Sequence, residues 1–381
     1  MVRRTTLRNQ LFNCLLLSIC LFCFTPLQAQ YCPATTVNGD VGFIFVRGVL
    51  FNNVSDQSLA PTPPSGNYFD RTGLGPIRAV RGQYAHASVS VGPSSIFSNN
   101  IIVFADWNAD GDFTDPGEFI GGQTLTTPNS VFSFYFTIPT TATLGTTRFR
   151  VRNYNHGSTF ADPCFAYNFG QTKDYTLEIL PSVGPIPCSP AGPGVNGSAN
   201  LVDADAATVH ITDVSVGTMS HSSQFFGTSI AAFNYSNHTW VNPTEIQAGN
   251  SYTVNISNNY TGFRGTTHGV WIDYNQDGDF SDPNEFVGED YTTSGTSSIS
   301  FTAPPGLIDG QQVILLVRAI QDDYTGIMSA CNNVATFPGA NNNETEDYRV
   351  ILRDPTACAP PTITATANGT GTNATISPGQ P

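Results

Sequence analysis

The sequence predicts an all-β protein built from two tandem antiparallel β-sandwich modules, and three observations carry that expectation. Short runs with a period near two (HASVSV, SYTVNIS, VFSFYFTIP, SISFTAP) are punctuated by Gly, Pro, Asn and Asp, and no stretch has the spacing of an amphipathic helix. Thirty-five Gly and 26 Pro in 381 residues bias the chain towards turns and extended strands. Sliding the sequence by 167 residues sets VRGQYAHASVSV on QAGNSYTVNISN and VFADWNADGDF on VWIDYNQDGDF. With a small drift in offset, FTIP meets FTAP, FRVR meets LLVR and KDYTLEIL meets EDYRVIL.

The elements follow in chain order. Residues 1–29 have the layout of a secretory signal peptide, with Arg3, Arg4 and Arg8 before an apolar stretch from Leu11 to Phe24 and cleavage expected after Ala29. The first module spans 31–181 and the second 187–354. SVGPIP between them reads as a short stiff linker that sets the modules as beads on a rod. Residues 357–381, opened by Cys358, begin a further unit that the sequence leaves incomplete. Later apolar runs are too short to span a bilayer, so no membrane insertion is expected after signal cleavage.

Losing the three leader arginines moves the formal charge from -14 to -17, and Lys173 is the single lysine. Nucleic acid is excluded as a partner, because binding it needs a basic face. Five cysteines follow the leader, none in CxxC spacing, which favours disulfides in an oxidising compartment over zinc. The economical pairing is Cys32 with Cys164 and Cys188 with Cys331, one staple per module; the two other pairings of these four remain open.

The charge-poor chain concentrates acid in DWNADGDFTDPGEF (106–119) and DYNQDGDFSDPNEF (273–286). Asp106, Asn108 and Asp110 are spaced by two, Gly111 follows, then Asp112, Asp115 and Glu118; the second copy has Asp273, Asn275, Asp277, Gly278, Asp279, Asp282 and Glu285. Oxygen side chains at positions 1, 3 and 5, a glycine at 6 and a later carboxylate describe a chain wrapping calcium. One Ca²⁺ per module is expected, held by Asp106, Asn108, Asp110, Asp112 and Glu118 and by Asp273, Asn275, Asp277, Asp279 and Glu285. The glutamates fall at position 13 rather than 12, and Pro116 and Pro283 exclude the flanking helices of a helix-loop-helix site. A plain acidic Asp-Gly hairpin turn is the alternative, but it leaves crowded carboxylates without a neutralising cation. Magnesium favours fewer protein ligands and more water.

These residues, with a closing acidic-Asp-Tyr strand, resemble the GEVED domain, a module of secreted multidomain bacterial proteins. The closing motif is kept in NETEDYRVIL, with Glu344, Glu346, Asp347 and Tyr348, whereas QTKDYTLEIL has Gln171 and Lys173 at the matching acidic positions. If those acids assist the metal site or a neighbouring contact, the first copy is expected to do so less well. The resemblance implies a secreted or cell-surface accessory module accompanied by further domains of the same polypeptide; PTITATANGT then looks like the first strand of an immunoglobulin-like domain.

No catalytic site is expected. His86, His156, His210, His221, His238 and His268 are scattered, and HExxH and GxSxG are absent. His238 matches Arg71 of the other copy, as befits a surface strand position. Arg152 and Arg318 match each other and are expected to pair with local carboxylates. The leading function is a calcium-binding spacer or adhesion module. The alternatives are a targeting module for an extracellular glycan or protein, or the non-catalytic part of a secreted metalloprotease or other hydrolase whose catalytic domain lies outside this chain. For a glycan, Tyr68, Phe69, Tyr154, Tyr167, Tyr235, Trp240, Tyr260 and Tyr324 are available, most of them expected in the core or in cross-strand pairs.

Overall fold

The computed structural model describes residues 31–33, 44–57, 67–92, 98–155, 161–185, 209–223, 235–259, 265–321, 330 and 343–355. The leader, Cys188 with Cys331, and the unit at 357–381 lie outside the described residues.

Each module is a sandwich of a small and a large sheet. In the first, the small sheet has the order β2 (Val54–Gln57), β1 (Val46–Phe51), β5 (Tyr84–Val91), β8 (Val131–Thr137). The large sheet runs β3 (Tyr68–Asp70), β10 (Gly170–Leu180), β9 (Gly145–Tyr154), β6 (Asn99–Ala105), β7 (Phe119–Leu125), with β4 (Ile77–Val80) also on β10. The second module repeats this as β12 (Met219–Ser222), β11 (Ile211–Val216), β15 (Ser251–Asn258), β18 (Thr296–Thr302). Its large sheet is β13 (Tyr235–Asn237), β20 (Asn343–Arg353), β19 (Gln312–Gln321), β16 (Thr266–Ile272), β17 (Phe286–Thr292), with β14 (Thr244–Gln247) on β20.

Pairing is antiparallel except at one edge of each large sheet. There β3 and β4 lie parallel to successive parts of β10, and β13 and β14 parallel to β20. Parallel neighbours need a long crossover, and the chain between β4 and β10 supplies one by way of five intervening strands.

Alternation decides which side chains enter the core. Ala85, Ala87, Val89 and Val91 of β5 face Val103, Phe149, Val151 and Leu177 of the large sheet, while His86, Ser88 and Ser90 turn outward. Strand β6 is instead buried on both sides: Ile101, Val103 and Ala105 enter the intersheet core, and Ile102 and Phe104 face a second cluster with Phe113, Tyr154, Tyr167 and Tyr31. A strand buried on both faces reads as a continuous apolar run, as IIVFA does.

The same demand brings the two modules together. On β16, Val270 and Ile272 point into the core, and Trp271 points out to join Ile314, Leu316 and Phe280 with Val80, Leu180 and Val183 of the first module. Asn237 Nδ2 donates to Gln83 Oε1 (2.7 Å) and Arg78 Nη1 to Asn242 Oδ1 (2.7 Å) across the junction. The expected beads on a rod are therefore corrected to packed neighbours: the outer face of the second large sheet is apolar and is covered by the end of the first module.

Cys32 and Cys164 form a disulfide across a sequence separation of 132. Replacing both with alanine is expected to lower the stability of the first module by about 5 kcal/mol in the chain-entropy picture, read from chemical denaturation.

Candidate metal loops and the closing-strand node

The acid loop leaves the end of β6 and returns to β7 beside a bulge. Val103 pairs with Gly121 and Phe104 with Phe119, so Ile120 is the extra residue and packs onto the core; Val287 repeats this in the second copy. Gly111 (φ 94) and Gly278 (φ 90) take the left-handed turn that a side chain disfavours.

The loop holds itself by successive Asx turns. Asn108 Oδ1 accepts from Asp110 N (3.0 Å), Asp110 Oδ1 from Asp112 N (3.1 Å) and Asp112 Oδ1 from Thr114 N (2.8 Å). Asn275, Asp277 and Asp279 repeat the ladder. Behind it, buried Asp106 accepts from Ala109 N (2.7 Å), Gly111 N (3.0 Å) and the Tyr31 hydroxyl (2.6 Å). Buried Glu118 accepts from Trp107 N (3.0 Å) and Asp115 N (3.2 Å), as Glu285 does from Tyr274 N and Asp282 N.

Asp110, Asp112 and Asp115 each place a carboxylate oxygen within 4.8 Å of the others, and Asp277, Asp279 and Asp282 do the same. Asn108 Nδ2 lies between two of these groups, donating to Asp110 Oδ2 (2.9 Å) and Asp115 Oδ2 (2.6 Å). Asn275 Nδ2 likewise joins Asp277 (3.0 Å) and Asp282. The positive end of an amide dipole thus sits where carboxylates crowd, and that amide bond holds the Asp110 carboxyl below its ordinary range. Of the expected ligand set, Asp110 and Asp112 converge with Asn108 at the rim, and Asp277 and Asp279 with Asn275. Asp106, Glu118, Asp273 and Glu285 stand behind the turn. Asp115 and Asp282 complete the rim.

Burial pushes Glu118 and Glu285 up to about 7 and raises Asp273. Asp273 Oδ1 is buried and meets no donor at hydrogen-bonding geometry among the described residues, and its Oδ2 accepts from Gly278 N (3.2 Å).

The closing strand builds a second polar centre. In the second module, Glu344 accepts from Ile211 N (2.6 Å) and lies 2.8 Å from His210 Nδ1. Glu346 accepts from Ser223 Oγ (2.6 Å) and Tyr348 OH (2.7 Å) and lies 3.1 Å from His238 Nε2, while Tyr348 OH is 3.1 Å from His221 Nδ1. Burial alone would raise Glu346, but the neighbouring His238 and these hydrogen bonds hold it below its usual range. Three of the histidines that look scattered in sequence are thus gathered on one node, and His238 is half-buried and paired to a carboxylate.

The first module keeps the node and reverses its charge. Gln171 Oε1 accepts from Val46 N (3.0 Å), doing the work of Glu344. Lys173 Nζ pairs with Asp56 (3.0 Å), which also accepts from Tyr175 OH (2.7 Å) and lies 3.4 Å from Arg71 Nε. The register places Asp56 opposite Val49, as His221 stands opposite Val214. Thus Lys173 replaces Glu346, Asp56 replaces His221 and Arg71 replaces His238. The departure of the first copy from the motif is a compensated swap that ties the closing strand to the small sheet.

Beside it, buried Arg150 holds Asp174 with two bonds of 2.7 Å and donates to the carbonyls of Cys32 (3.1 Å) and Pro163 (2.9 Å). Among the described residues Arg152 meets no carboxylate, against expectation, and donates to the carbonyls of Asp162 and Phe165 (both 2.8 Å); Arg318 donates to the carbonyl of Ala330 (3.2 Å). Each arginine thus ties a backbone carbonyl of the residues that follow its strand back to the large sheet. Tyr154 and Tyr167 stack on each other at 3.7 Å and are buried, Trp240 is half-buried between the modules, and Tyr260 and Tyr324 lie outside the described residues.

No curated protein matches the chain. Three solved structures show limited likeness. A family 123 glycoside hydrolase from Clostridium perfringens is 15% identical over 32% of this chain, which spans only 24% of the hydrolase, with a TM-score of 0.18. CBD12 from CALX1.2 is 10% identical over 74% of this chain and 97% of its own (TM-score 0.18). Dpr2 Ig1-Ig2 in complex with DIP-Theta Ig1-Ig3 gives 9% over 76% and 66% (TM-score 0.16). Superpositions this poor carry no argument about function. The GEVED domain model, by contrast, matches 100–178 and 267–351, each span running from the strand before the acid loop to the closing strand. The chain therefore carries two tandem GEVED domains.

Proposed function

We propose that the chain is a non-catalytic, calcium-braced connector of an exported protein, in which each acid loop fixes the segment entering its own module. The observation that carries this reading is the second loop. Gln276, between the ligand-type residues Asn275 and Asp277, donates to Val183 O (2.7 Å) of the inter-module segment and to Gln312 O (2.8 Å), and it accepts from Gln311 Nε2 (2.9 Å). Pro185 packs so closely on Gly278 that a Cβ there would meet it at 3.0 Å. At the first loop, Tyr31 plays the corresponding part through Asp106.

The rim fits calcium. Oxygens bound to one Ca²⁺ at about 2.3–2.6 Å lie up to about 5 Å apart, and the donor set is hard oxygen throughout. Asp110, Asp112 and Asp115 would hold the ion in the first loop, with Asn108 turning its carbonyl oxygen inward; Asp277, Asp279, Asp282 and Asn275 would do so in the second. Asp106, Glu118, Asp273 and Glu285 brace the turn and supply further negative charge. The disulfide fits an oxidising, extracellular setting. No helix among the described residues is long and apolar enough to cross a membrane.

Spin labels placed on the two modules test the bracing role. Calcium is expected to narrow the distribution of inter-module distances and EDTA to broaden it, with Gln276→Ala broadening it even in calcium. A distribution indifferent to calcium, in a chain shown by calorimetry to bind it, would rule out the connector mechanism.

Proton competition gives a further expectation. Glu118 and Glu285 stay protonated up to about pH 7 in the calcium-free fold, above the ordinary glutamate range. These two groups bind more protons in the folded calcium-free chain than in the unfolded one across that window, so their own contribution to stability falls as pH rises towards 7, while His86, His221 and His268, held at about 4 by burial, contribute with the opposite sign. A bound cation favours the ionised form, so apparent calcium affinity is expected to weaken on acidification below about pH 7, measured by calorimetry at several pH values.

A further inference from the structure

Between the modules lies a cavity of about 560 Å³, within the range of roughly 300–1,000 Å³ typical of small-ligand sites. One wall is the outward face of the first small sheet, with Tyr84, His86 and Tyr135; the other belongs to the second module, with His221, His238 and Trp240. Neither module alone encloses it. Its described lining includes no Lys, Arg, Asp or Glu, although the chain carries a net charge of -14. What lines it instead is aromatic rings with amide, hydroxyl and imidazole groups; among the imidazoles, burial would lower His210, but its Glu344 partner outweighs burial and holds it above the ordinary histidine range. Burial holds His86 and His221 at about 4, so both are uncharged at neutral pH. The His238 ring, whose Nε2 lies 3.1 Å from Glu346, lines the cavity beside the Trp240 ring, with centroids 5.9 Å apart.

From this lining we propose that the inter-module cleft is a binding site for a neutral oligosaccharide, with Trp240 and Tyr135 as the ring contacts on opposite walls. The chemistry favours a neutral sugar over other classes. A sugar ring offers an apolar C–H face for an aromatic ring and a rim of hydroxyls for neutral donors and acceptors. An anionic glycan would need a cation to receive it, and His210, the lining imidazole held above the ordinary range, is already paired with Glu344 at 2.8 Å. A peptide anchored by aliphatic side chains would need aliphatic pockets, and Leu50 and Ala85 are the aliphatic residues of the described lining. Because the site is built from both modules, its shape depends on how they dock, through Asn237 with Gln83 on one side of the junction.

The full chain, in saturating calcium and separately in EDTA, is titrated by calorimetry with cellohexaose, xylohexaose and mannohexaose, with a hexagalacturonate and an unrelated peptide mixture as the charged and peptide arms. At least one neutral hexasaccharide is expected to bind, with Trp240→Ala and Tyr135→Ala each weakening it tenfold or more while thermal melts stay cooperative. Tyr135 is half-exposed on a small-sheet strand, so its variant tests the site even if Trp240→Ala unfolds the second module. Failure of all neutral sugars to bind, binding that ignores both substitutions, or preference for the acidic glycan or peptide would overturn the proposal. Calcium binding is read separately in the same chain, so the connector reading stands or falls independently.

Discussion

Arg150→Ala is expected to lower the stability of the first module by about 3–5 kcal/mol, the cost of breaking a buried ion pair by removing one partner. Asp174 is fully buried and receives both oxygens' strongest bonds from this guanidinium, with Arg148 at 3.5 Å and Tyr68 OH at 3.0 Å as lesser partners. The substitution also leaves the carbonyls of Cys32 and Pro163 without their donor, so it loosens the disulfide-bearing segments together with the closing strand. Chemical denaturation gives the free energy, and hydrogen exchange localises it: amides of β9 and β10 should lose protection while those of β19 and β20 keep theirs.

Lys173→Glu has an effect of similar size for a different reason. It writes the second module's motif into the first, yet places a carboxylate against Asp56 where a cation now lies at 3.0 Å. Two like charges in one buried site and a lost pair are expected to cost about 3–5 kcal/mol or to force one carboxyl to protonate. Adding Asp56→His and Arg71→His rebuilds the arrangement of Glu346 with His221 and His238. The triple variant is expected to recover most of the stability at neutral pH. A triple variant no more stable than the single one, by the same denaturation measurement, would show that the two nodes are not interchangeable.

The acid loops and the strands around them were legible because both rest on local periodicity: two-residue spacing of oxygen ligands, and alternation in HASVSV. Spacing does not say which way a carboxylate turns. Asp106 and Glu118 look like ligands in sequence, and in the fold their oxygens satisfy backbone N–H groups of the tight turn, while Asp115 reaches the rim from the far side of the loop. The parallel edge was not legible, since YFD and IRAV are too short to declare a partner. Nor was the histidine node, whose members come from separate places in the chain and meet only through pairing of β11, β12 and β20 with their neighbours. The packing of the modules did leave a trace: the unbroken apolar run GVWI has no polar face to give to water, so Trp271 had to be covered by something.

Calorimetric titration of the full chain with calcium decides between metal-braced loops and plain acidic turns. Two sites are expected, with dissociation constants on the order of 10⁻⁴ to 10⁻³ M or tighter, the range of extracellular calcium modules. Asp110→Asn with Asp115→Asn should abolish one and Asp277→Asn with Asp282→Asn the other. Absence of any binding heat across that concentration range, or two sites that survive both pairs of substitutions, would contradict metal bracing by these loops.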